Sequence, residues 1–326
     1  MSPRKPDRTQ LALDELHALR GADPGTPEGL TALTAALAHK SHLVVAAAAA
    51  IAGEFSLESL GDALERAFPR FLQNPIRADP QCRAKIALAQ AMYQLDHDPD
   101  EAFRLGVRHI QREPVFGGTE DTAPELRAIC AMALATGPDP DALLDVAELL
   151  ADPEPVARRG AAQALGASGR VDAASPLLRY KLLIGDDDLY VISACAGSLL
   201  SLAPERELGH VSGLLTAEHA PTREAAALAL GESRLEAAFT PLVAFVEAAA
   251  LAPERRVGLV ALAVLRTDES WGYLLGLLAK APEALAADAA GALSNFRYDA
   301  DLCRRVEQAA GARSEARVRE AIAVFA

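Results

Sequence analysis

The stretch "DALLDVAELLADPEPVARRGAAQALGASG", residues 141–169, reads as two helices joined by a tight turn. In its first half Leu143, Val146 and Leu150 recur at three- and four-residue steps, the period of a helix with one apolar face. Asp152-Pro153 breaks that pattern. The second half, "ARRGAAQALG" (157–166), sets small residues at helical spacing and ends on Leu165. A pair of this kind has more apolar surface than it can cover alone, so it must stack on units like itself.

Related second halves occur at "ELRAICAMAL" (125–134), "YVISACAGSL" (190–199), "TREAAALALG" (222–231) and "ALAADAAGAL" (284–293). The large residue closing each gives the anchors Ile51, Met92, Leu134, Leu165, Leu199, Leu230, Leu265, Leu293 and one near Phe325, spaced 28 to 42 residues apart. Such a period marks a two-helix repeat. Four residues before the anchor stand Ala47, Leu88, Cys130, Ala161, Cys195, Ala226, Ala261 and Ala289. One residue before it stand Ala50, Ala91, Ala133, Ala164, Ser198, Ala229, Val264 and Ala292. The two columns share a helix face. A stripe of small residues there lets neighbouring helices approach closely, with wider packing expected at Leu88 and Val264. Between these helices lie leucine-rich ones such as "ASPLLRYKLL" (174–183), "FTPLVAFVEAA" (239–249) and "SWGYLLGLLAK" (270–280); Pro176 and Pro241 are expected in first turns, where proline is tolerated. The expected fold is all-α: about nine helical pairs in one solenoid over 29–326. A polar arm, 1–28, precedes it and is partly disordered, its "MSPRKPDR" start carrying Arg4, Lys5 and Arg8.

Residues 141–169 resemble HEAT-like repeats: a leucine-rich first helix, an Asp-Pro turn, then arginine, small residues and Ala-Leu-Gly. "TREAAALALGESRLEAAFTPLV" (222–243) is a second good match, 186–217 and 254–325 match more loosely, and the units before residue 112 match least. The resemblance implies an α-α superhelix whose second helices line a concave side. An Asp also stands six residues before a basic position in Asp79 and Lys85, Asp121 and Arg127, and Asp152 and Arg158. Asp186 keeps the acid opposite Ile192, and Arg223 keeps the base without the acid. An Asp ahead of a helix accepts its free N–H groups, and an Arg one turn in can reach a carboxylate of its own or a neighbouring turn. The resemblance implies a structural ladder of such contacts.

With 32 basic and 45 acidic residues the net charge is −13, and no long basic run offers the footprint that nucleic acid requires. The longest apolar run, "LVVAAAAAIA" (43–52), is too short to span a bilayer, and no secretory h-region is present, so a bacterial-type cytoplasmic protein is expected. Cys82, Cys130, Cys195 and Cys303 lack metal-type spacing and are expected as buried free thiols within helices.

The oddest segment is "EPVFGGTEDTAPELR", 113–127. A phosphate loop needs a Gly-Lys-Ser/Thr ending after a strand, whereas Gly-Gly here meets Thr119, Glu120 and Asp121. Glu113, Glu120 and Asp121 lack the oxygen spacing of a calcium loop. A widened turn with Asp121 or Thr122 capping the next helix explains more of the residues. "LDHDPDEAF" (95–103) and "GDDDLY" (185–190) are acid-rich. Such clusters can bind a divalent cation, and they also suit helix starts, where acids offset the dipole; capping is the expectation for both. His39 and His42 lie one turn apart without an evident third ligand. Deoxyhypusine hydroxylases look like this architecture but hold iron with His-Glu pairs, which are absent here. HEAT-like DNA glycosylases use a basic, aromatic face; the single Trp271 falls in a first-series helix and is expected in the core or an interface. No Gly-x-Ser-x-Gly elbow occurs.

The function expected is therefore non-catalytic: a scaffold or adaptor holding a protein partner, one with a basic patch, along the concave groove. No catalytic, cofactor-binding or metal residues are assigned. Phe116 and Phe325 are the candidate partner contacts, with self-association possible through the C-terminal helix "EAIAVFA". The alternatives are an accessory or lyase-type subunit with a ligand or chromophore in the groove, as in phycobilin lyases, and a self-assembling structural protein. Two acids meeting a His or Cys inside the curve would favour the ligand reading.

Overall fold

A computed structural model describes residues 8–97, 100–311 and 313–325. Arg4, Lys5, Asp98 and Pro99 lie outside the described residues. The chain divides into two compact units, 1–169 and 170–326. The first holds α1 (Arg8–Arg20), α2 (Pro27–Leu37), α3 (His42–Glu54), α4 (Gly61–Ala67), α5 (Pro75–Ala78), α6 (Arg83–Gln94), α7 (Asp100–Val107), α8 (Pro124–Thr136), α9 (Ala142–Leu149) and α10 (Pro155–Ala167). Strands β1 (Arg112–Val115) and β2 (Gly118–Asp121) lie between α7 and α8. The second unit holds α11 (Val171–Ile184), α12 (Leu189–Leu202), α13 (Pro204–Gly213), α14 (Ala220–Ser233), α15 (Phe239–Ala248), α16 (Ala252–Leu265), α17 (Asp268–Lys280), α18 (Glu283–Leu293), α19 (Ala300–Ala310) and α20 (Ala316–Ile322).

Among the described residues α2 to α20 form nine pairs, with the four-residue α5 as an extra turn. The second helices stack in order: α3, α6, α8 and α10 in the first unit, and α12, α14, α16, α18 and α20 in the second. All nine anchors, Ile51 through Phe325, are buried. The small columns are buried from the second repeat onward except at Val264, which is half-buried; Leu88 is fully buried. In α3 the register differs by one residue: Ala48 and Ala52 are buried, Ala47 is half-buried and Ala50 is exposed. The closest approaches need glycine. A Cβ on Gly160 would strike Ala128 across the α8–α10 contact, and one on Gly231 would strike the Ala261 backbone of α16.

Several expectations change. Residues 8–20, expected in the polar arm, form α1, which buries Leu16 and packs on α3. Its Arg20 pairs with Glu54 at 2.7 Å. Pro176 lies inside α11, not in its first turn, because that helix already begins at Val171; Pro241 is the third residue of α15. The weakly matching early part is broken, with α4 flanked by 3-10 turns at 58–60 and 68–72. First helices are joined by ion pairs that the repeat pattern did not reveal. Arg104 of α7 and Arg108, in the turn just after it, both reach the buried Asp145 of α9, and Arg179 of α11 reaches the buried Glu207 of α13 at 2.8 Å. Trp271 meets expectation, its indole N–H donating to the Ala263 carbonyl at 2.9 Å and its ring lying against Phe296.

Two glycines separate close packing from mere helix propensity. Gly160→Val should cost about 2 kcal/mol or more in urea unfolding, because the helices must part to admit the side chain. Gly197 of α12 has nothing within 4 Å of a built Cβ. Gly197→Ala should therefore be neutral or stabilise by up to about 1 kcal/mol.

Candidate functional site

The turns between paired helices carry the ladder residues, and the geometry sorts them into three kinds. Asp79 and Lys85 form a fully buried pair at 2.9 Å. Asp79 also accepts the amides of Ala84 and Lys85 at the start of α6, and Lys85 Nζ donates to the Phe71 carbonyl. Arg127 links two repeats. Its Nη1 donates to Asp121 at 2.8 Å and to the His109 carbonyl, while Nη2 donates to Asp152 of the following turn at 2.9 Å. Burial opposes the Arg127 charge, but Asp152 and Asp121 overcome that and raise its affinity for the proton.

Arg158 and Arg223 work through backbone. Arg158 Nη1 donates to the carbonyls of Asp152 and Pro153, six and five residues earlier, both at 2.9 Å. Arg223 Nη1 donates to Ala217 and Glu218 at the same two offsets, and its Nε donates to Glu254 of the next turn. The guanidinium grips the turn itself, which explains why position 217 needs no Asp. Asp186 takes its cation from Lys181 at 2.8 Å in the preceding helix. Asp188 caps α12, accepting the amides of Tyr190 and Val191 as expected for an acid-rich helix start.

The segment expected as a widened turn is a two-stranded antiparallel hairpin, paired from Arg112↔Asp121 to Val115↔Gly118. At its tip Gly117 has φ +88°, a backbone that favours glycine. Phe116 beside it is fully exposed. The base is anchored through Glu113. Its Oε1 accepts from the Gln81 amide at 2.5 Å, from Gln111 at 2.7 Å and from the Thr122 hydroxyl at 2.9 Å. Asp121 accepts the amides of Gln111 and Ala123 just ahead of α8. Partial burial pushes both carboxyls up, but these hydrogen bonds, with Arg127 beside Asp121, hold them below their ordinary range.

A cleft of about 490 Å³ runs over the solvent-facing sides of α6, α8 and α10. Ile129, Met132 and Val156 form its apolar wall with Tyr93. Its polar rim has Gln90 and Gln163, and one acid, Glu125, against one base, Arg159. That near-neutral rim lends no support to the expected basic-patch partner. Gln90, Met132 and Gln163 all stand two residues before an anchor, so the cleft follows a repeat column other than the two small ones read from the sequence.

The remaining candidates disperse. Phe325 is buried in a final 3-10 turn packed on α19 and α20, so it is core and not a free contact; the turn folds its ring back onto its own unit. Cys82, Cys130 and Cys195 are buried, and burial pushes the Cys82 thiol up to about 11 and the Cys195 thiol up to about 12. Cys82 is the last residue of a 3-10 helix ahead of α6, not part of an α-helix, and Cys303 is only half-buried. His39 accepts the Ser41 amide at 3.1 Å. Among the described residues one set of three donors comes together, and it includes neither His39 nor His42: Asp62 and Glu65 of α4 with His97. Sequence reasoning reached His97 through 95–103 but missed both carboxylates, which lie more than thirty residues away.

Residues 117–200 match the family described as HEAT repeats. That segment is similar to HEAT repeats, and helix pairs of the same two-helix plan flank it on both sides. Similar solved structures include the complex of CpcE and CpcF of phycocyanin lyase from Nostoc sp. PCC7120, at 19% identity over 70% of this chain and 88% of that one, with a TM-score of 0.36. Kap121p matches at 12% identity over 97% of this chain and 45% of that one, TM-score 0.39. Human deoxyhypusine hydroxylase in complex with glycerol matches at 19% identity over 97% and 96%, TM-score 0.30. No curated protein sequence matches the chain. No helix among the described residues is long and apolar enough to cross a membrane.

Arg127→Ala should cost about 3 kcal/mol in thermal or urea unfolding, because it removes a buried cation shared by two carboxylates that are left with backbone amides alone. Arg158→Ala should cost about 1 kcal/mol, the worth of ordinary hydrogen bonds. The depressed carboxyls Glu113 and Asp121 set a pH direction. Their contribution is complete above the ordinary carboxylate range and is lost as pH falls through their lowered folded values. Protection of the hairpin amides, referred to the intrinsic exchange rate at each pH, should therefore fall as acid is added, and Glu113→Gln should flatten that response.

Proposed function

We propose that this HEAT-like protein is a non-catalytic scaffold that receives a segment of a protein partner in the cleft over α6, α8 and α10. The cleft carries the reading. Its wall of Ile129, Met132 and Val156 offers apolar contact, while Gln90, Gln163, Glu125 and Arg159 can satisfy a partner's polar groups at the edge. An apolar centre with a polar rim is the usual anatomy of a recognition surface. Phe116, held out on a firmly anchored hairpin, supplies a second contact of a type enriched at the centres of interfaces.

Binding rests on shape and apolar burial, without a covalent step. The three buried thiols are poor nucleophiles, since burial disfavours the thiolate.

The test is affinity capture from the native cell followed by direct titration of the captured protein. Val156 is exposed, so Val156→Arg should leave the unfolding midpoint in place while weakening binding at least tenfold; Phe116→Ala should weaken it less. A partner bound equally well by both variants would refute the cleft and the hairpin as its site. Co-purification of a small molecule without protein would favour a ligand-carrying subunit.

A further inference from the structure

The acid-rich stretch 95–103 contributes more than a helix start. α4 begins at Gly61, which places Asp62 and Glu65 three residues apart and therefore on one face. Across from them the chain leaves α6 through Asp96, with φ +52°, and the His97 amide closes onto the Met92 carbonyl at 3.0 Å. The imidazole then lies directly over Gly61, where any Cβ would run into its Nδ1. His97 Nε2 sits 3.1 Å from Glu65 Oε2. One donor atom from each of Asp62, Glu65 and His97 falls within 4.8 Å of the other two. No described side chain pairs with the Asp62 carboxylate. A cleft of about 330 Å³ opens beside the group, lined by Asp62, Glu65, Glu101 and Arg66 among others, and provides access and room for water.

We propose that Asp62, Glu65 and His97 bind one divalent first-row transition cation, with zinc as the working probe. Carboxylate oxygen and imidazole nitrogen are both zinc ligands, and three protein ligands leave a position for water. Bonds of about 2.0–2.2 Å to a shared tetrahedral ion set donor atoms about 3.3–3.6 Å apart, a separation that small rotations of the exposed Asp62 and Glu65 side chains can reach. The imidazole favours zinc-like ions over magnesium and calcium, which prefer all-oxygen sites. A cation would also neutralise two neighbouring carboxylates, of which only Glu65 now has a partner. Gly61 is the signature of the arrangement, since it alone lets the ring approach the start of α4. The site is independent of the cleft over α6, α8 and α10.

The experiment uses the full chain, stripped of metal and titrated with Zn²⁺ by calorimetry, with bound zinc counted by elemental analysis after gel filtration. One equivalent is expected, together with a higher unfolding midpoint on binding. His97→Gln and Asp62→Asn should each weaken binding at least tenfold and abolish the midpoint shift. The His39→Gln/His42→Gln double variant and Cys303→Ser should bind as the parent does. Asp62 is exposed, so Asp62→Asn keeps the test decisive if His97→Gln fails to fold. Absence of the equivalent, or zinc bound unchanged in Asp62→Asn, would overturn the assignment.

Discussion

Close contact between second helices is the constraint on which the rest of the structure depends. Where α8 meets α10 and α14 meets α16, a single methyl group at Gly160 or Gly231 would have no room. Close packing of that kind gives each repeat dispersion contact along a whole helix face, built from many individually small terms. Because the second helices approach so nearly, the turns joining them to their partners also converge. Ladder residues of successive repeats then come within hydrogen-bond reach, as Arg127 and Asp152 do.

Those turns must be held, because burying backbone carbonyls and charges without partners is costly. The chain meets this in different ways at equivalent places. A buried Asp–Lys pair closes the turn before α6, an Arg shared by two Asp residues spans the turns around α8 and α9, and an Arg on two carbonyls closes those before α10 and α14. What these four share is a cation one turn into the second helix that satisfies the preceding turn; before α12 the cation is Lys181 of the preceding helix instead. The identity of its acceptor varies.

The hairpin, β1 and β2, is the main departure from the repeat plan. It adds residues between α7 and α8 without disturbing either helix, because Glu113, Gln111 and Asp121 tie its base to the turns on either side. An insertion tied this firmly at its root can hold an exposed aromatic ring in a defined place. The triad of Asp62, Glu65 and His97 lies in the interrupted early part of the chain, where α4 is short and the repeat pattern is weakest.

The repeat was legible because burial repeats with the helical period: each anchor and nearly every small residue in its column is buried where the pattern places it. Helix α1 was missed because a single buried leucine, Leu16, carries its packing. The hairpin was missed because both strands are short and mostly exposed, so no apolar alternation marked them. The offset between Arg223 and its carbonyl acceptors left no trace in residue types, since every residue has a carbonyl. By itself, then, the sequence determined the helix pairs, their stacking face and the turns that need a cation, all of which are local or periodic properties. Only the tertiary structure decided which acceptor each cation takes, that Phe116 is exposed while Phe325 is core, and that His97 meets Asp62 and Glu65. Those outcomes depend on approaches between residues distant in the chain, which periodicity does not encode.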